Sequence, residues 1–380
     1  MGFGISWVFS PGIMMVRILE KLAQRKPLQA EDWVQIAERA PSADLFEMAD
    51  RFRKARHPDG IVTYVVDRNI NYTNVCLSGC AFCAFYCRPD SAQGYLLTRE
   101  EVCHKVEETL ERGGSGILLQ GGLNPAIPRD YFEGLLRHLK SRYPIYLHCF
   151  SPPEIQFYSR LYGFTPEEYL ARLRDAGLDS IPGGGAEILD DTVRTRLSQK
   201  GSAGEWLAVM RTAHRLGLRS TATMVIGLGE GTAQRLAHLE RLRDLQAETA
   251  GFLSFIPWTF QPRNTALETR IPEAVQGEPY LRWLAVGRLY LDNFEHVQVS
   301  RLTQGMETAR RGLRCGADDL GSVMMEENVV AAAGAGHHAD EEALRQAILQ
   351  EGFTPWPRNA GYRRLDKDRA PQPFTQPVTH

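Results

Sequence analysis

The sequence has little cysteine and no excess of charge of either sign. Seven cysteines in 380 residues are an odd and sparse count, which excludes the disulfide framework of a small secreted domain. The 44 Lys and Arg residues are interspersed with 46 Asp and Glu residues, and the formal net charge is −2. No basic stripe or patch stands out, so we expect neither nucleic acid nor a membrane surface as a partner.

Long hydrophobic runs are also lacking. The opening stretch, residues 1–15, is apolar but too short to span a bilayer, and no basic region precedes its apolar part. We interpret residues 1–14 as a loosely ordered leader or an over-extended start. The composition, with 43% hydrophobic and 24% charged residues, is that of a globular protein able to bury a sizeable core.

The most informative stretch contains three cysteines, Cys76, Cys80 and Cys83. Their spacing, C-x3-C-x2-C, offers three thiolates to one iron–sulfur cluster and leaves a fourth ligand unsupplied. A structural zinc site would need four protein ligands, commonly in two pairs, and the sequence has no second pair at such a spacing. Exposed cluster thiolates need a reducing compartment, so we expect a cytoplasmic protein.

We assign no chemical role to the other four cysteines. Cys103, Cys149 and Cys315 are expected to be buried as small hydrophobic residues. Cys87 follows Cys83 by four residues and resembles a fourth ligand. We interpret Cys87 as a bystander, because a fourth protein thiolate would close the open position on the iron.

Strand and helix patterns alternate from Ile61 onward, which predicts an α/β fold with parallel strands and right-handed crossovers. About six βα units follow from the strand before the cysteines, so we expect a partial TIM barrel rather than a closed one. That strand is predicted over Ile70–Val75, directly before the first cysteine. We divide the chain into a leader and helical extension (1–60), the barrel (61–300), and a C-terminal segment over the barrel (301–380), with a polar tail from Arg358.

Candidate functional residues follow the predicted strands, because barrel enzymes place their working residues at the carboxyl ends of strands. The stretches are Gln120–Pro125, His148–Glu154, Gly183–Glu187, Met224–Glu230 and Trp258–Thr265. Glycines there let a ligand approach the backbone, although tight turns also use them. His148 is either a group that binds substrate or transfers a proton, or a polar residue satisfied near the core.

These motifs resemble the radical S-adenosylmethionine (SAM) enzymes, which place an aromatic residue such as Phe82 before the third cysteine. Within that superfamily, residues from about Ile61 to Gly336 resemble the dehypoxanthine futalosine cyclases of menaquinone biosynthesis. The strings that carry this resemblance are Arg68–Asn74, Gln120–Pro125, Ser151–Ile155, Ser180–Ile188, Phe255–Pro262 and Asp319–Val329. The sequence departs from that family at Cys87, and at Leu228, where the family often has a histidine.

The resemblance implies a radical reaction on a small-molecule substrate. Cys76, Cys80 and Cys83 would hold a 4Fe-4S cluster, and SAM would bind its open iron. A 5′-deoxyadenosyl radical would take a ribose hydrogen from dehypoxanthine futalosine, and the carbon radical would add to the substrate's benzoate ring. A low-potential electron donor such as flavodoxin or ferredoxin would supply the electron.

The resemblance also implies roles for particular residues. SAM would contact Gly121 and Gly122 with its amino end, Glu187 with its ribose, and Phe82, Ile226 and Gly227 with its adenine. The catalytic and substrate-binding residues would be His148, Glu154, Gln261 and Asn264, with Glu326 and Glu327 near the substrate's carboxylate and sugar.

Other functions remain open from the sequence. The nearest are two sister radical SAM activities, those of aminofutalosine synthase and of the tyrosine-using enzyme of deazaflavin biosynthesis. A non-catalytic iron–sulfur or metal-binding scaffold is a different class. A scaffold would not need glycine-rich and polar loops at five strand ends, which favours an enzyme.

Overall fold

Parallel strands form the centre of the protein, as the β-branched and aromatic runs predict. The structure is a computed structural model and describes residues 11–366. Its strands are β1 (Ile61–Val65), β2 (Asp67–Asn71), β3 (Gly116–Gln120), β4 (Tyr146–Cys149), β5 (Ser180–Ile181), β6 (Arg219–Ile226), β7 (Phe252–Thr259), β8 (His296–Val297), β9 (Asp319–Ser322) and β10 (Thr354–Arg358).

Strands β2 to β8 form one sheet of seven strands in which each strand pairs in parallel with its neighbours in the sequence. Six connections therefore join these strands, and β2 and β8 are the two edges of the sheet. This arrangement confirms the predicted α/β class and the partial barrel. The sheet buries apolar residues such as Leu119, Leu147, Ile181 and Phe255 completely.

Helices cover the sheet and connect its strands. They are α1 (Pro11–Ala23), α2 (Ala30–Arg39), α3 (Ser42–Arg56), α4 (Arg99–Glu111), α5 (Tyr131–Arg142), α6 (Pro152–Tyr162), α7 (Pro166–Asp175), α8 (Asp191–Leu197), α9 (Ala203–Arg215), α10 (Thr232–Thr249), α11 (Glu278–Tyr290), α12 (Arg301–Gly312), α13 (Val329–Ala332) and α14 (Glu341–Gln350). Among residues 11–366, no helix combines the length and the apolar character that a membrane crossing requires.

The helical N-terminal segment packs on the outside of the barrel. The guanidinium of Arg282 in α11 donates to the carbonyls of Ile36 at 3.0 Å and Ala40 at 2.7 Å, at the end of α2. The bond to Ala40 gives a partner to a carbonyl at the helix end, while the Ile36 carbonyl also accepts from the Ala40 N–H at 3.3 Å. Residues 1–10 of the predicted leader lie outside the described residues, and the leader's last positions already belong to α1.

A second, smaller sheet changes the prediction for the C-terminal end. Strand β1 pairs in parallel with β10 on one side and β9 on the other. The predicted polar tail from Arg358 is therefore wrong for its first residues, since Arg358 ends β10 and is buried. Its buried ion pair with Asp319 draws this polar stretch inward. Residues 367–380 lie outside the described part of the chain.

The approach to the cysteines also differs from the prediction. Strand β2 covers Asp67–Asn71 rather than Ile70–Val75. After it, the hydroxyl of Thr73 donates to the carbonyl of Tyr95 at 2.5 Å and then accepts from the Val75 N–H at 3.2 Å. Such local side-chain bonds compete with a sheet ladder, so the strand ends before the cysteine loop.

Candidate active site

A cavity of about 430 Å³ lies at the carboxyl edge of the large sheet and reaches into the barrel. Its walls come from the loops after the strands, from the sheet itself and from the C-terminal segment. The volume lies in the range of small-molecule sites. The position agrees with the rule that places the working residues of barrel enzymes at this edge.

The three cysteines of the motif, Cys76, Cys80 and Cys83, all line this cavity as free thiols. The hydroxyl of Ser78 lies 3.2 Å from the Cys76 sulfur and 3.1 Å from the Cys80 sulfur. Three thiols on one loop and facing one cavity fit a cluster that three cysteines hold and that keeps one iron open.

Backbone hydrogen bonds to two other loops fix the cysteine loop. The Leu77 N–H donates to the carbonyl of Leu123 at 3.1 Å, and the Ala81 N–H donates to that of Leu197 at 2.8 Å. One partner follows β3 and the other ends α8. The positions of the thiols therefore depend on segments that are distant in the sequence.

Cys87 supports the cysteine loop through its backbone. Its carbonyl accepts from the Cys76 N–H at 3.0 Å, and its N–H donates to the carbonyl of Asn74 at 2.9 Å. Cys87 is not among the residues that line the cavity. This placement agrees with its interpretation as a bystander.

The glycines after β3 are needed for packing. A Cβ on Gly122 would lie 2.1 Å from the carbonyl oxygen of Val75, and one on Gly121 would lie 2.6 Å from the ring of Tyr72. A side chain at either position would push this loop away from the cysteine loop. Both glycines line the cavity, and their contact with the amino end of SAM stays a prediction.

Glu154 binds these loops together from the first turn of α6. Its carboxylate accepts from the Tyr72 hydroxyl at 2.6 Å, the Gly121 N–H at 3.1 Å and the Ser151 N–H at 2.7 Å. Burial raises the pKa of Glu154, although these donors oppose the shift. The sequence placed Glu154 in a loop, whereas prolines at the first helical positions begin α6 there. Its predicted catalytic role stays a prediction, and its contacts are those of a positioning residue.

Lys200 is a cavity residue that sequence reasoning missed. Its Nζ lies 3.2 Å from Glu187 Oε1 and 5.1 Å from the centre of the Phe82 ring. Arg194 contributes a second cation, 3.6 Å from Glu187 Oε2. Lys200 lies between α8 and α9 rather than at a strand end, so no positional rule points to it. The predicted SAM contacts Glu187 and Phe82 are thereby brought together.

The cysteines act electrostatically on Lys200. Burial lowers the pKa of the ammonium, but Cys80, Glu187, Cys83 and Cys76 together raise it above its usual value. Lys200 is therefore a permanent positive charge beside the three thiols. A cation there favours thiolates, which are the ligand form of cysteine.

His148 lines the cavity at the end of β4. Its Nδ1 lies 2.6 Å from the hydroxyl of Ser180. Burial, and then the charge of Arg358, lower the pKa of His148 to about 3. The ring is neutral near pH 7, so it can accept or donate a hydrogen bond but carries no charge.

The remaining predicted catalytic residues are separated from one another. Gln261 lines the cavity, and its Nε2 donates to the backbone carbonyl of Thr259 at 3.2 Å. Asn264 lies outside the lining, is exposed, and donates to the carbonyl of Ala332 at 2.8 Å. The geometry supports a substrate contact for Gln261 and gives none for Asn264.

Ile226 and Gly227 also lie outside the cavity lining. The carbonyl of Ile226 accepts from the Phe260 N–H at 2.9 Å, and the Gly227 N–H donates to Glu230 at 2.8 Å. These backbone groups have partners within the protein. Their predicted contact with adenine is not supported by this arrangement.

The two glutamates of the C-terminal segment have structural partners. Glu326 forms ion pairs with Arg68 and Lys105, each at 2.7 Å, and does not line the cavity. Glu327 lines the cavity but accepts from three backbone N–H groups at the start of α13. Neither carboxylate is suited to hold a substrate carboxylate, because like charges repel.

The second end of the cavity is built by residues that sequence reasoning missed. Arg301 begins α12 after β8, while Arg358 and Tyr362 come from the end of β10 and the turn beyond it. All three line the cavity. Arg358 is paired with Asp319, with 2.8 Å between Nη2 and Oδ1. The supposed tail thus supplies part of the cavity wall.

The fold is an open parallel barrel, and a loop with three cysteines follows the first strand of its sheet. This loop shares a cavity with loops from the other strands. These features define a barrel enzyme that carries an iron–sulfur cluster. Residues 70–242 match the Radical SAM superfamily, and residues 249–370 match the CofH/MqnC C-terminal region. The chain belongs to the radical SAM superfamily. Its cofactors are accordingly a 4Fe-4S cluster and SAM.

Comparisons with individual proteins agree with this assignment. The chain is 40% identical to a cyclic dehypoxanthine futalosine synthase of Halalkalibacterium halodurans over 94% of this chain and 98% of that protein. It is 39% identical to a 5-amino-6-(D-ribitylamino)uracil–L-tyrosine 4-hydroxyphenyl transferase of Methanopyrus kandleri over 79% of this chain and 84% of that one. The fold resembles methylornithine synthase, with a TM-score of 0.69 and 19% identity over 89% of this chain and 97% of that chain.

Proposed function

We propose that this enzyme converts dehypoxanthine futalosine into cyclic dehypoxanthine futalosine. The observation that carries the proposal is 40% identity, over nearly the whole length of both chains, to a synthase of that name. The cavity supports it, since its walls include the cysteine loop and polar loops from several other strands. The proposal includes a cytoplasmic location and a low-potential electron donor such as flavodoxin or ferredoxin.

When bound, the cluster and SAM would supply a 5′-deoxyadenosyl radical to take a ribose hydrogen. The substrate's carbon radical would then add to its benzoate ring, and loss of one electron and one proton would restore the aromatic ring in the cyclised product. The residues of this chain have to hold the substrate's target carbon next to the radical and exclude water, because a primary alkyl radical abstracts hydrogen unselectively. Apolar and aromatic side chains such as Phe82, Ile256, Trp258 and Phe260 supply much of this enclosure.

In this proposal the polar residues of the cavity orient SAM and the substrate and do not themselves react. Glu187, held by Lys200, offers carboxylate oxygens to ribose hydroxyls. His148 is neutral and offers a ring nitrogen to a hydroxyl of the substrate. Gln261 offers its amide at the end of β7.

The test is an anaerobic reaction with reconstituted, chemically reduced protein and SAM. We expect dehypoxanthine futalosine to be consumed, 5′-deoxyadenosine to be released, and a product of the cyclised mass to form. A matched reaction with Cys80→Ala protein should give none of these. Release of 5′-deoxyadenosine without a cyclised product would contradict the proposal.

A second candidate is supported by the similarity to the tyrosine-using transferase, which has nearly the same identity over a shorter part of the chain. The same protein should therefore be given tyrosine with 5-amino-6-(D-ribitylamino)uracil. Formation of a coupled product in that reaction, and no turnover of dehypoxanthine futalosine, would favour the second candidate. The enolpyruvyl precursor used by aminofutalosine synthase is the third substrate to compare.

A further inference from the structure

Arg301 is a buried cation at the end of the cavity that lies near the last strand of the sheet. Only 3% of the residue is exposed, and it lines the cavity. Its guanidinium donates to the carbonyl of Ser322 at 2.8 Å and also to the carbonyl of His337. These bonds and a longer one of 3.5 Å to the carbonyl of Val323 hold the group in place, but they leave its charge without a carboxylate partner.

The other buried arginines of residues 11–366 all have a carboxylate partner. The pairs are Arg53 with Asp50, Arg194 with Glu187, Arg288 with Asp318, and Arg358 with Asp319. Within these described residues, no ion pair involves Arg301, and its Nε–H is buried without an acceptor. A buried charge without a partner is unfavourable, so its retention calls for an explanation.

The guanidinium stays charged despite its surroundings. Burial lowers the pKa of Arg301 to about 10, which leaves it protonated near pH 7. Three of the carboxylates that line the cavity, Glu154, Glu187 and Glu327, are engaged elsewhere, as shown above. The fourth, Asp67, accepts from the hydroxyl of Ser322 and forms no ion pair with Arg301. In the described part of the chain, the cavity therefore contains a fixed positive charge that no side chain neutralises.

We propose that Arg301 is a specificity-determining residue that binds a carboxylate of the substrate. The inference rests on the proposed function, whose substrate carries a carboxylate on its benzoate group. Arg301 contacts Ser322, which pairs with Val65 just before β2, whereas the cysteine loop begins beyond the other end of β2. A long substrate with its benzoate end at Arg301 would extend from there across the cavity. Guanidinium groups bind carboxylates in bidentate fashion, which also fixes their orientation.

The experiment compares the substrate with its carboxamide analogue, in which the benzoate carboxylate has become a neutral amide. Calorimetric titration of cluster-loaded, SAM-bound protein gives both dissociation constants. We expect wild-type protein to prefer the carboxylate about 10- to 100-fold, the range for a charge-assisted hydrogen bond. In Arg301→Gln the two ligands should bind alike, and Arg301→Lys should keep part of the preference.

Arg364→Gln is the control, since it removes an arginine charge that pairs with Asp59 at the surface and does not line the cavity. Its carboxylate preference should equal that of wild type. Thermal melting and iron content exclude misfolding, and Arg301→Gln should melt no lower than wild type because it removes an uncompensated buried charge. A preference that survives in Arg301→Gln would overturn the inference, as would an equal loss of affinity for both ligands.

The two proposals fail in different ways. If wild-type protein binds neither ligand, the proposed function is wrong. A comparison of the dissociation constants of benzoate and benzamide then tests Arg301 alone. A preference for benzoate that disappears in Arg301→Gln would support a carboxylate site for another substrate. No discrimination between the two probes in wild-type protein would overturn the site itself.

Discussion

The two ends of the cavity are built in different ways. At the cluster end, three thiols lie within one short loop, and the nearby cation Lys200 is paired with Glu187. At the opposite end, β8, β9 and β10 contribute residues that are far apart in the sequence, and the cation Arg301 has no acidic partner within residues 11–366. The cation Lys200 of the cluster end thus has an acidic partner within the protein, whereas in our proposal Arg301 takes its negative charge from a ligand.

The largest effect should come from removing a cluster ligand. Cys80→Ala is expected to abolish substrate turnover and to lower bound iron and visible absorbance to background, because two thiolates do not hold the cluster. Iron analysis after anaerobic reconstitution measures this. Cys87→Ala is the matched control, since its sulfur does not line the cavity, and it should keep full iron content. Equal loss of iron in the two variants would make Cys87 a ligand.

The next largest effect should come from breaking the buried ion pair between Arg358 and Asp319 at the end of the cavity opposite the cluster. Arg358→Gln leaves Asp319 buried without its partner and is expected to lower the free energy of unfolding by about 3–5 kcal/mol. Arg364→Gln is the control, because its pair with Asp59 is well exposed and should cost less than about 1 kcal/mol. Denaturant unfolding measures both. Together with Arg301→Gln, these variants compare the change in unfolding free energy for a buried paired, an exposed paired and a buried unpaired arginine.

A smaller effect is expected where the β3 loop meets the cysteine loop. Gly122→Ala places a Cβ 2.1 Å from the oxygen of Val75, so the free energy of unfolding should fall by about 1–3 kcal/mol and SAM should bind more weakly. Gly134→Ala in α5, whose Cβ would meet nothing within 4 Å, should be neutral or stabilising. Unchanged SAM affinity in Gly122→Ala would contradict the role of this contact.

The smallest effect should be the contribution of the buried ring of His148 to the pH dependence of the unfolding free energy. The pKa of His148 is lowered to about 3 by burial, so the unfolded chain binds a proton that the folded chain does not. Its stabilising contribution is present above the unfolded pKa and is lost as the pH falls toward 3. From pH 7.5 to 5.5 we expect a loss of about 1–2 kcal/mol from this residue.

His148→Asn should make the profile of unfolding free energy against pH less steep by that amount, while His214 and His238, whose pKa values burial also lowers, keep contributing to it. His104→Gln is the control, because the side chain of His104 is 72% exposed, and its profile should follow that of wild type. A His148→Asn profile that is as steep as wild type would place the acid sensitivity elsewhere.

Much of the fold and of the cluster end could be predicted because the signals are local. The βα alternation predicted the open parallel sheet, and the spacing of Cys76, Cys80 and Cys83 predicted a three-thiol site. The predictions failed where local signals compete. Strand β2 ends early because the Thr73 hydroxyl bonds to the backbone of Val75 and Tyr95, and Ser151 begins a helix where a loop was expected.

The sequence by itself determined the three-cysteine motif that is predicted to hold the cluster and the superfamily to which the chain belongs, because ligand spacing and strand–helix periodicity are properties of neighbouring residues. Only the tertiary structure decided what surrounds them. Lys200, Arg301 and Arg358 reach the cavity from segments that carry no motif, and Gly122 is a glycine because a distant carbonyl leaves no room for a Cβ. Charge balance in particular depends on which buried groups meet, so a lone arginine can be recognised only after all its neighbours have been placed.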